Sequence, residues 1–283
     1  MHVAADRSPT LRRRELASQL RDLRKQSGRT VEDVARELLC SPPKISRIET
    51  GVRPASPRDV RDLCTIYGVD DSLRERLMGL AREAKQQGWW NKYEDIAIDR
   101  LIGLEIEAAQ ISSYESCVIP WMFQTRDYAR AVIKGSLPRI ADHILDERVT
   151  ARLTRQEIIT RESPPHFWSL ADESSLRRRV GSNQVMRDQL GAMVELAAVP
   201  NMTLQVVPFS LGAHPGLDNT FEFLEFPGQP PVVYLENMAG GLYLESTSDV
   251  DRYKEALMHL RAGALDPENS VSLIEQVRET FKA

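Results

Sequence analysis

The sequence predicts an α+β protein in two parts. An all-α head of five short helices comes first, and a larger α+β body with a mainly antiparallel sheet follows. Three observations carry this. Helix start and stop residues recur at short intervals through residues 11–87, whereas the alternating apolar pattern of strands appears only late in the chain. Formal charge is also unevenly divided. Residues 1–88 hold 18 Lys and Arg against 13 Asp and Glu, and residues 89–283 hold 19 against 28. The net charge of −4 over 283 residues is thus a head at +5 and a body at −9. Such a division points to a nucleic-acid-binding end.

Residues 1–10 are polar, include Pro9 and read as a flexible arm. Leu16, Leu20 and Leu23 recur at helical spacing, and Gly28 stops that first helix. Thr30 is the N-cap of a second, with Asp33 three residues on as a short capping box. Val31, Val34, Ala35 and Leu38 form its apolar side. Ser41 caps a third helix, with Pro42 at its first position. Ile45 and Ile48 face inward there, and Gly51 ends it. Ser56-Pro57 repeats the start signal for a fourth, which carries Val60, Leu63, Cys64 and Tyr67 and closes at Gly68. A fifth runs over residues 70–87.

Gly88-Trp89-Trp90 marks the boundary to the body, residues 88–283, and the two tryptophans suit an interdomain packing plug. A helical stretch passes Leu101, Leu104 and Ala108, with a turn near Pro120. Helices are expected over 125–134, 142–161 and 183–198, and again from Asp249. Strands are expected at 166–170, 203–208, 221–226, 232–236 and 241–245, joined mostly by short connections and hence antiparallel.

Several classes are excluded. No apolar run approaches the ~18 residues of a membrane span. The first residues lack the apolar core of a secretory signal. Cys40, Cys64 and Cys117 show no CxxC spacing, so neither a disulfide framework nor a structural zinc is expected, and a reducing cytoplasm fits. The five histidines stand at no metal-binding spacing, and no cofactor motif is present. The nearest approach to a catalytic set is His214, Asp218 and Glu222, but no nucleophile or second base accompanies them. The expectation is a protein that is not an enzyme and has no cofactor or metal.

The informative segment is residues 30–51. A helix-turn-helix needs a small residue where its helices cross, and Ala35 supplies it. The turn is Leu39-Cys40-Ser41. The second helix buries Ile45 and Ile48, which leaves Lys44, Ser46 and Arg47 able to face out. Ser41 and the N–H groups at the helix start are expected to bind a phosphate. With Thr30-Val31-Glu32-Asp33-Val34-Ala35, Ser41 and Ile45-Ser46-Arg47-Ile48-Glu49-Thr50-Gly51 in place, residues 11–75 resemble the XRE/Cro-like family of helix-turn-helix regulators, the family of phage repressors.

That resemblance implies a double-stranded DNA operator as partner. Pro42, Pro43, Lys44 and Arg47 correspond to base-facing positions, and Lys44 and Arg47 have the chemistry to reach guanine. Thr30, Ser41, Ser46 and Arg53 are placed for phosphates. Arg24 and Glu49 match a pair that ties the first helix to the third. Leu39 departs from the family at a turn position often held by Gly, and Val31 stands where a polar DNA contact is common. Two prolines replace typical polar readers, which shifts readout toward Lys44, Arg47 and DNA shape.

The body carries Leu101 to Ala109, Ser113-Tyr114-Glu115, Gln124 to Arg130, Arg155-Gln156, Asp172 to Leu176, Gln205 to Phe209, Ala213-His214-Pro215-Gly216 and Val233-Tyr234-Leu235-Glu236. With these it resembles the domain that follows the helix-turn-helix in many regulators of filamentous, antibiotic-producing actinobacteria. The resemblance implies a transcription factor whose second domain is a sensor or docking module. It also implies a small acidic partner protein encoded nearby, in a toxin–antitoxin-like layout. Trp121-Met122-Phe123 replaces the usual Gly-Leu-Leu and is expected at an exposed turn as a partner-binding patch. The function expected is a cytoplasmic, homodimeric regulator on an inverted repeat, controlled through its body by a small protein or ligand. The rival expectation is an antitoxin-like module that mainly sequesters a partner and regulates its own synthesis.

Overall fold

The computed structural model describes residues 9–85, 99–237 and 240–282. The chain divides into two units, Met1–Asn91 and Lys92–Ala283. The predicted arm lies outside the described residues up to position 8, and Pro9 and Thr10 already belong to the first helix. The Gly88-Trp89-Trp90 boundary also lies outside them.

The first unit holds α1 (Pro9–Gln26), α2 (Val31–Glu37), α3 (Pro42–Glu49), α4 (Pro57–Ile66) and α5 (Asp71–Glu83). Caps set these bounds. Thr30 and Ser56 each complete a reciprocal capping box, with Asp33 and Asp59, and Asp70 caps α5. The apolar sides meet in one core that includes Leu16, Leu20, Val34, Ala35, Ile45, Ile48, Val60, Leu63 and Leu77. Each large aliphatic group buried there is worth roughly 1.5–3 kcal/mol. The fifth helix ends at Glu83, earlier than expected.

The second unit opens with α6 (Asp99–Glu105), then β1 (Gln110–Glu115), α7 (Arg126–Ser136), α8 (Asp142–Gln156), β2 (His166–Asp172), α9 (Glu173–Arg177) and α10 (Asn183–Ala197). It continues with β3 (Met202–Val207), β4 (Phe221–Phe226), β5 (Gln229–Asn237), β6 (Gly240–Leu244), α11 (Thr247–Gly263) and α12 (Pro267–Thr280). The six strands form one sheet in the order β3-β2-β1-β4-β5-β6. Pairings β1–β4, β4–β5 and β5–β6 are antiparallel, as expected. Pairings β1–β2 and β2–β3 are parallel, because helical crossovers rather than short turns join those strands.

β1 is an addition to the predicted set. The helix expected to reach Ala108 stops at Glu105, and the next residues enter the centre of the sheet. Tyr114, Leu170, Phe221, Phe223 and Val233 line one sheet face and pack on Val250, Leu257 and Leu260 of α11. Across β1 and β4, Ser113 pairs with Glu222 and Tyr114 with Phe221, so Glu222 turns to the opposite face.

Candidate nucleic-acid interface

The helix-turn-helix begins with how α2 is closed. Leu39 adopts φ 50°, the one non-glycine residue among those described with a left-handed backbone. Cys40 N–H donates to Ala35 O at 2.9 Å and Leu39 N–H to Arg36 O at 3.2 Å, the two bonds of a Schellman motif. Gly28 and Gly68 close α1 and α4 in the same way. At Leu39 a branched side chain stands in the glycine position, at a cost of roughly 1–2 kcal/mol. The turn is therefore strained, and Leu39 is 95% exposed.

α3 is held from two sides. Arg24 grips Glu49 through two bonds, Nε to Oε1 at 2.8 Å and Nη2 to Oε2 at 3.0 Å. Its remaining nitrogen donates to Arg29 O at 2.9 Å. Glu49 is only 4% exposed, and its hydrogen bond holds the Arg24 guanidinium more firmly charged than usual, against the opposing effect of burial. On the other side, Lys44 Nζ lies 2.6 Å from Asp59 Oδ1. Burial pushes the Asp59 carboxyl upward. Hydrogen bonds from Lys44 and from Ser56 outweigh that and hold it below the ordinary carboxylate range.

The outer face of α3 follows from this anchoring. Ile45 and Ile48 point into the core, and Ala35 of α2 lies buried in the same cluster. Pro42, Pro43, Ser46, Arg47 and Thr50 are exposed, together with Ser41 and, beyond the helix, Arg53. The Thr50 hydroxyl donates to Ser46 O at 2.9 Å and contacts Arg47 O at 3.3 Å, so it is used locally. The side chains of Arg47, Ser46 and Arg53 make no side-chain bond among the described residues. Of the two basic residues expected at base-facing positions, one is therefore free and the other, Lys44, is tied to α4.

The expected phosphate site at the start of α3 needs correction. Pro42 and Pro43 have no N–H to offer. The next N–H, on Lys44, donates to Ser41 O at 2.9 Å. Only the Ser41 hydroxyl remains, exposed and making no cap bond. The Thr30 hydroxyl donates to Asp33 Oδ2 at 2.7 Å and accepts from Asp33 N–H at 3.1 Å, so capping occupies it.

The expected patch at Trp121, Met122 and Phe123 is also corrected. These residues form a short 3-10 turn and are 8%, 2% and 1% exposed, so they are core. The Trp121 indole N–H donates to Glu222 Oε1 at 2.9 Å, and the Arg155 guanidinium lies 3.5 Å over the indole ring. Gln156 and Gln189 donate to the turn's carbonyls at 2.7 Å. With the apolar mass inside and the one indole donor satisfied, nothing is left for a partner.

Sequence reasoning missed the ionic cluster that surrounds this turn. Arg155 pairs with Glu105 through both carboxylate oxygens, one at 2.6 Å, and approaches Glu222 at 3.4 Å. Burial, reinforced by Glu105, raises the Glu222 carboxyl well above the ordinary range. The three charges are far apart in sequence, and although Glu105, Arg155 and Glu222 each fall in a segment singled out above, no local spacing joins them. His214 belongs elsewhere. It stacks edgewise on Tyr114 and lies 3.7 Å from Asp172, on the sheet face opposite Glu222. Asp218 is exposed, so His214, Asp218 and Glu222 form no common site.

Comparison with known families agrees with this anatomy. Residues 15–77 match a helix-turn-helix domain, which makes the chain a DNA-binding transcription regulator of the helix-turn-helix class. Residues 98–276 match DUF5753, a domain of unknown function. That match spans more than half of the sequence, and the chain belongs to the DUF5753 family. No curated protein and no solved structure matches it. No helix among the described residues is long and apolar enough to cross a membrane.

Proposed function

We propose that the chain is a sequence-specific, XRE-type repressor of the cytoplasm that binds an inverted repeat as a homodimer. One α3 per subunit enters the major groove, with half-sites about one helical turn, ~10 bp, apart. The DUF5753 unit receives the controlling signal, a small acidic partner protein or a ligand, and acts by binding rather than by catalysis. The observation that carries the reading is the outer face of α3. It is exposed, it bears no carboxylate, and it presents Arg47 unencumbered above a core fixed by Arg24–Glu49.

The test is a gel-shift titration of the full chain and its Arg47→Ala variant on a duplex that the full chain selects from a random pool. The variant is expected to lose ~1–3 kcal/mol of affinity and to tolerate changes at one base pair. Equal affinity for both proteins overturns the assignment of α3 as the reading helix.

A further inference from the structure

We infer that this head reads thymine, through its C5-methyl group, with Pro42 and Pro43 as the surface that meets it. The inference rests on α3 being the helix that enters the groove. The first residues of such a helix contact base edges. Here they are two prolines, both exposed. A pyrrolidine ring neither donates nor accepts a hydrogen bond, so it cannot recognise guanine, adenine or cytosine by their polar edges. The one apolar feature in the major groove is the thymine methyl.

The polar alternatives on the same face are few. Lys44 is drawn onto Asp59 at 2.6 Å, Thr50 bonds back to its own helix, and Glu49 is buried against Arg24. That leaves Arg47 as the directional reader, with Ser46 beside it. Pro43 and Arg47 are one turn apart on one face, ~6 Å along the axis. This matches about two base-pair steps of ~3.4 Å. The half-site should therefore place one or two thymines about two steps from the guanine that Arg47 takes. Both prolines have fixed φ, and the Schellman closure at Leu39 and Cys40 fixes the approach to them. The apolar contact thus needs little further ordering.

The experiment uses the full chain. Duplexes are selected from a random pool and sequenced, and the recovered half-site is remade with deoxyuridine in place of each thymidine in turn. That change removes only the methyl. Affinity is expected to fall about three- to tenfold at one or two positions, within about two steps of the G·C pair at which Arg47→Ala relaxes selection. A Pro42→Ser/Pro43→Gln variant, both residues being compatible with a helix start, is expected to lose that sensitivity. Recovery of a defined site in which every deoxyuridine is neutral overturns the thymine reading and leaves the DNA-binding reading intact. Recovery of no preferred site overturns both.

Discussion

Lys44 Nζ sits 2.6 Å from Asp59 Oδ1, so the lysine of the reading helix is bound to the capping box of the helix that follows. One carboxylate closes the start of α4 and withholds a positive charge from the outer face of α3.

Replacing Asp59 by Asn should release Lys44 while keeping a side-chain oxygen to accept the Ser56 N–H in the capping box. Affinity for an arbitrary duplex is expected to rise several-fold at low salt. The slope of log K against log salt should steepen by about 0.9, the value of one added phosphate contact. Anisotropy titrations at four salt concentrations measure this, and an unchanged slope means that Lys44 already reaches DNA with Asp59 in place.

Arg24 and Glu49 tie α1 to α3 through two hydrogen bonds. Arg24→Met leaves the Glu49 carboxylate buried without its partner, which should cost ~3–5 kcal/mol. The double variant with Glu49→Met should recover most of that loss. Urea unfolding followed by helical circular dichroism gives the comparison. Equal loss in the single and double variants would mean that the pair contributes through packing alone.

Leu39→Gly should stabilise the head. The left-handed backbone at φ 50° no longer opposes a side chain, and the lost side chain buries nothing. Glycine's greater freedom in the unfolded chain takes back part of the gain. The expected net effect is ~0.5–1 kcal/mol, read from the urea midpoint. A less stable variant would show that Leu39 makes an unrecognised contact.

Glu115 supplies a pH prediction for the second unit. Burial, with Glu236 adding to it, raises its carboxyl from the ordinary 4.5 to about 8. The folded chain therefore binds more protons than the unfolded chain between those values. Its contribution to stability is complete below the unfolded value and is lost as pH rises toward about 8. Glu115→Gln should flatten the decline of Tm between pH 5 and 8. Thermal melts followed by tryptophan fluorescence test it, and a decline as steep as that of the native chain would assign the effect to another group.

What could be read from the sequence was local chemistry. Thr30 with Asp33, and Ser56 with Asp59, announce helix starts because the interacting groups lie three residues apart. β1 was hidden because its buried positions are serines as well as apolar residues. Ser113 bonds Ser169 at 3.2 Å and Ser112 receives Arg261 at 2.6 Å, contacts that exist only once the sheet has formed. Trp121 looked like surface because its covering charges come from Arg155 and Glu222, far away in sequence. In the DNA-facing segment the residue types were legible. The pairing of Lys44 with Asp59, fifteen residues on, was not.

The mixed sheet also imposes an order of assembly. Strands β4, β5 and β6 follow one another in sequence with two residues between each pair and are antiparallel, and hairpins of this kind close within microseconds. The parallel half must first bring together segments separated by whole helices, which slows it. During refolding, amide hydrogens in residues 221–237 should become protected before those in 166–172 and 202–207. In that interval the side of β4 that later receives β1 is an open edge, so refolding yield should fall as protein concentration rises.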